Sequence, residues 1–141
     1  MFDEMNSMVE LPVFDGEKKN FVSWWIRFQA YSRVIGFNSA LRKSVELPIS
    51  EKETKKLSAA VVSEKKIILA VKRNELAVTH VMKAMGNDAV RNKLKTIVNS
   101  GWPGGLAYEI IEKLNEEYSP VQKTVSAEKK NPKNVIRVSQ G

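Results

Sequence analysis

The chain has 141 residues, 43% hydrophobic and 28% charged, with 23 Lys+Arg against 16 Asp+Glu for a net charge of +7. That length suits one domain, or one domain with a tail, and is enough to bury a real core. There is no cysteine, which excludes disulfides, thiolate catalysis and every cysteine-containing zinc site, and no apolar run approaches the roughly 18 residues of a membrane span.

Residues 1–13 read as an extended or mobile N-terminal segment broken at Leu11-Pro12. They are acidic and lack the charged-then-apolar order of a secretory signal, so a cytoplasmic location is expected. Phe14-Asp15-Gly16 reads as a turn, because Asp accepts local backbone hydrogen bonds and Gly tolerates positive φ. A helix follows from about residue 18 to 35. Its aromatic stripe, Phe21, Trp24, Trp25, Phe28, Tyr31 and then Ile35, recurs at three- and four-residue steps until Gly36 stops it.

Residues 38–48 form a short helical turn or loop ending at Pro48. Ser50 and Glu53 have the spacing of a capping box, and neither Gly nor Pro occurs from there to Met85. Leu57, Val61, Ile68, Val71, Val78, Met82 and Met85 keep a helical spacing, which predicts one long helix or two with a bend near Arg73-Asn74. Glu64 and Glu75 interrupt that seam, which favours packing within a compact domain over a coiled coil. Gly86 then breaks the chain, and Asn87 or Asp88 can cap a helix whose apolar face is Ala89, Val90, Leu94, Ile97 and Val98.

Asn99-Ser100-Gly101 ends that helix, and Trp102-Pro103-Gly104-Gly105 forms a loop no helix crosses cheaply. From Leu106 the apolar residues Ile110, Ile111, Leu114 and Tyr118 share one helical face, opposite Glu109, Glu112, Lys113, Glu116 and Glu117. Ser119-Pro120 closes the element. Residues 121–141 show no sustained period and read as a basic, largely disordered tail. The expected class is all-α, a compact bundle of about five helices over residues 14–120.

Charge is unevenly placed. Through Tyr118 there are 18 Lys+Arg and 15 Asp+Glu, a net +3; the remaining 23 residues set five cations against Glu128, a net +4. Lys123, Lys129, Lys130, Lys133 and Arg137 are therefore the candidate RNA contacts, through weak, salt-sensitive attraction. The plainer alternative is a tail that only solubilises.

Catalytic chemistry is not suggested. His80, the single histidine, sits mid-helix with no nucleophile motif beside it, and reads as a surface or core residue. Glu116 and Glu117 are neighbours on a helix and diverge. The glycines around Trp102 lack the lysine and hydroxyl of a phosphate loop. No enzyme activity, metal, cofactor or small-molecule substrate is expected. The aromatic stripe reads as core rather than a base-stacking platform. Trp24 and Trp25 cannot share one direction, however, which makes Trp25 the candidate self-association residue. Trp102 reads as packing its loop onto the helices, with an exposed loop contact as the alternative.

Two separated blocks also resemble a family. Phe14, Gly16, Asn20, Phe21 and Trp24 follow the opening Phe-x-Gly turn, Asn-aromatic pair and Trp of copia-type retrotransposon Gag proteins. The second block begins at Asn74 and ends with Trp102, Pro103, Gly104, Gly105, Leu114, Tyr118 and Pro120, which resemble that family's Trp-Pro-Gly-Gly turn, helix with a late Leu, and Tyr-x-Pro. The likeness covers roughly residues 11–35 and 74–120. It implies a helical fold like a capsid N-terminal domain, self-association into homo-oligomers and participation in RNA packaging. A complete Gag of this kind would continue into a second helical segment, often with a Cys/His knuckle. The resemblance therefore implies the N-terminal capsid portion alone, as a fragment, a truncated element or a host-adopted interaction module that no longer assembles.

Overall fold

A run of aromatic side chains builds the first helix, α1 (Phe21–Ile35), entered through a 3-10 turn at Lys18–Asn20. The computed structural model describes residues 9–43, 47–97 and 99–119. Phe21, Trp24, Phe28 and Tyr31 are all buried, and Trp24 stacks on Phe28 with ring centroids 4.9 Å apart. Each large apolar side chain removed from water contributes on the order of 2 kcal/mol. Gly36 ends the helix in the left-handed region at φ 109°, its N–H bonding to the Ser32 carbonyl. Phe37 and the 3-10 turn Asn38–Leu41 then fold under α1, burying Phe37, Ala40 and Leu41.

The next helix departs from expectation. Ser50 makes no side-chain cap: its hydroxyl meets the Glu53 carboxylate at 3.4 Å and its carbonyl accepts from the Glu53 amide at 3.2 Å, over a single 3-10 turn, Glu51–Thr54. The continuous helix α2 (Val62–Lys83) starts a further two turns on and runs unbroken past Arg73-Asn74. Local bonds hold the gap open: the Ser58 amide donates to the Glu64 carboxylate at 2.8 Å, and the Ala60 amide to the Ser58 hydroxyl. Such side-chain partners give the backbone an alternative to a helix.

The buried line of α2 also differs, being Ala70, Asn74, Ala77 and Val81, with Ala84 and Met85 just beyond. That line lies one residue ahead of the expected Val71–Val78–Met82 seam, a rotation of about 100°. This face packs mainly against the Asn38–Leu41 turn and α4, and small side chains allow that close approach. Val78 and Met82 pack at its margin.

Helix α3 (Asp88–Lys95) is capped by Asn87, whose carboxamide oxygen accepts from the Ala89 and Val90 amides, and it buries Val90 and Leu94. Helix α4 (Ala107–Tyr118) buries Ala107, Ile110, Ile111 and Leu114. The class is all-α: among the described residues there are four α-helices and three short 3-10 turns, beside an expectation of about five helices. None of these helices is long and apolar enough to cross a membrane.

Residues 9–13, grouped above with a mobile segment, lie against the bundle as a strap. Phe14 donates its N–H to Ala84 O at 2.8 Å and accepts from Gly86 N at 2.9 Å, a one-residue bridge beside Met85. The Trp24 indole donates to Pro12 O at 3.0 Å, and Val9 and Leu11 pack on the core. The buried indole N–H needs a partner, and the strap's backbone supplies it.

A candidate interaction surface on α1

The fifteen residues of α1 contain no carboxylate, only Arg27 and Arg33. The aromatic face turns inward, which leaves Val22, Ile26 and Val34 outward, 47%, 61% and 48% exposed. They form a ridge at four-residue steps together with Ala30. Neither arginine enters an ion pair among the described residues. The strap runs beside this ridge and leaves an open groove of about 570 Å³ between Leu11, Pro12 and Val13 on one side and Ala30, Tyr31 and Val34 on the other.

Trp25, the candidate self-association residue, is half-buried. Its ring tilts against Trp24 at 6.1 Å and packs on the core, at the border between the buried face and the ridge. The more exposed apolar side chain is its neighbour Ile26. Periodicity reveals such a ridge only once the buried face is fixed, because Val22 and Ile26 keep the same spacing as the core residues.

The residues of the family resemblance have structural partners. Phe14 is buried, and Gly16 takes φ 90°. The Asp15 carboxylate, held below the ordinary carboxylate range mainly by the Glu17 amide and also by the Asn20 carboxamide, accepts from both, at 2.9 and 2.6 Å. At the other end, Trp102 is buried and its indole donates to Pro48 O at 3.2 Å. Gly105 closes the loop at φ 93° with its N–H on Trp102 O, whereas a Cβ at Gly104 would meet nothing within 4 Å. The two blocks meet where Tyr118 contacts the rings of Phe14 and Phe21. Leu114 is fully buried beneath. Pro120 and the candidate RNA contacts Lys123, Lys129, Lys130, Lys133 and Arg137 lie outside the described residues.

One buried polar residue escaped the sequence reading. Asn74 is 3% exposed, and its carboxamide accepts from the Ala107 amide at 2.8 Å and donates to Gly105 O at 3.0 Å. It thereby ties α2 to the start of α4, whose first amides have no intrahelical acceptors. Next to it, a second cleft of about 340 Å³ lies between α2 and the Trp102 loop, lined by Asn74, Val78, Thr79, Trp102 and Pro103 together with Glu51 and Glu75.

His80 joins α2 to α1. Its Nδ1 lies 2.9 Å from the Tyr31 hydroxyl and its ring stacks on Phe37 at 5.1 Å. Burial, then the Lys83 ammonium, holds the imidazole below its ordinary pKa, and burial raises that of Tyr31. Among the described residues no three acidic, His or Cys side chains gather in a metal-binding group.

The sequence matches no known protein-family profile and no curated protein, and the fold matches no solved structure.

Proposed function

We propose that this chain is a structural protein of the cytoplasm, the N-terminal capsid-like domain of a copia-type Gag, working by repeated contacts between identical copies while its basic tail attracts RNA. The observation that carries the reading is the ridge of Val22, Ile26 and Val34. Large exposed aliphatic side chains aligned on one helix favour burial against a partner. The meeting of the two Gag-like blocks at Phe14, Phe21 and Tyr118 supports treating them as one unit.

Light scattering at rising protein and salt concentration tests the proposal. Growth of particles or filaments is expected. A monomer at every concentration, with and without RNA, would reject assembly and leave the non-assembling interaction module in its place.

A further inference from the structure

The ridge on α1 and the cleft beside Trp102 are opposite in charge, and each offers apolar side chains. The ridge is aliphatic and edged by Arg27 and Arg33, with no carboxylate anywhere on its helix. The cleft is lined by Val78, Trp102 and Pro103 beside the neutral polar Asn74 and Thr79, and its only charged lining groups are Glu51 and Glu75. Neither glutamate enters an ion pair among the described residues. The two surfaces cannot meet within one molecule. The buried face of α1 is turned toward α2, with Tyr31 on His80, so the ridge points away from the helix that bears the cleft.

We propose that the α1 ridge of one copy docks into the Trp102 cleft of a second copy, joining copies head to tail. Ile26, the most exposed residue of the ridge, enters the cleft, and the stems of the arginines lie along its apolar walls with their guanidinium groups on Glu51 and Glu75. Because the two surfaces differ, each copy keeps one free ridge or one free cleft, and association continues into a closed ring or an open filament. This rests on the self-association proposed above and adds which surfaces meet.

The test uses three variants of the full chain: Ile26→Asp, Arg27→Glu with Arg33→Glu, and Glu51→Arg with Glu75→Arg. Thermal melting checks that each folds, since none of these positions is buried. Sedimentation velocity should show association weakened at least about tenfold in each variant alone. The decisive sample is an equimolar mixture of the two charge-reversed proteins. There the reversed ridge of one faces the reversed cleft of the other, and association should return. Folded variants that assemble like the wild type, or a mixture that stays dispersed when each variant alone is impaired, would overturn this pairing while leaving self-association standing. A wild-type chain that is monomeric throughout overturns both.

Discussion

The ring of Phe14 meets the ring of Tyr118 nearly edge-on, with centroids 5.2 Å apart and planes at 74°. This contact joins the strap to the last turn of α4, closing the bundle between the two ends of the described chain. Phe14 is 1% exposed and also touches Phe21 and Trp24. Phe14→Ala should therefore cost about 3–5 kcal/mol, and the half-buried Tyr118→Ala less. A double-mutant cycle by urea denaturation should return a coupling of about 0.5–1.5 kcal/mol. Additive effects would mean that the strap and α4 are held independently.

The two glycines after Pro103 are not equivalent. Gly105 sits at φ 93°, where a side chain strains the backbone, although a Cβ there would find Ile110 no nearer than 3.8 Å. Gly105→Ala should destabilise by about 1–2 kcal/mol through that strain. Gly104 lacks a positive φ and a close neighbour, so Gly104→Ala should fall within about 0.5 kcal/mol of the wild type. Thermal melts of the two variants compare them directly; equal losses would contradict the loop geometry.

His80 makes stability depend on pH. Its folded-state pKa is depressed, by burial first and by Lys83 second, so the unfolded chain binds more protons near neutrality. The stabilisation is present above the unfolded pKa of about 6.5 and is lost as pH falls through the folded value. Geometry gives the reason. Neutral Nδ1 can accept the Tyr31 hydroxyl proton, whereas a protonated ring offers only donors, and Tyr31 itself stays protonated. Urea midpoints should be flat above neutrality and decline toward acid, with His80→Gln flattening that slope. The chain has one histidine, so the decline just below neutrality is assigned to it, while the loss from Asp15, also held low, comes at more acid pH. A midpoint that rises on acidification would contradict it.

The tail carries five cations and one carboxylate. If those cations meet RNA phosphates, deleting residues 121–141 should weaken binding. The full chain's log affinity should fall with log salt at a slope no steeper than about −3.5, five contacts at roughly 0.7 each. Equal RNA titrations for the two forms would remove the tail from the proposed function.

Much of the helical pattern was legible because it depends on local spacing. Phe21, Trp24, Phe28 and Tyr31 mark the buried side of α1, Asn87 marks a cap, and Ile110, Ile111 and Leu114 mark α4. The delayed start of α2 was hidden because no Gly or Pro announces it. Ser58 and Glu64 interrupt the helix through hydrogen bonds that spacing does not display. The rotated inner face was hidden for a tertiary reason: α2 lies against the Asn38–Leu41 turn and α4, and turns Ala70, Ala77 and Val81 inward although Val71 and Val78 keep the same spacing. Asn74 looked like a place for a bend, yet its polarity serves backbone groups far along the chain. As for the surface, aromaticity pointed to Trp25, while the ridge beside it became visible only when the strap and core had claimed the other faces of α1.

Self-association is the claim on which the functional account depends. Sedimentation velocity of the full chain across a wide range of loading concentrations measures it most directly. The weight-average sedimentation coefficient should climb with concentration, with species beyond a dimer. A single monomeric boundary at every concentration would contradict it.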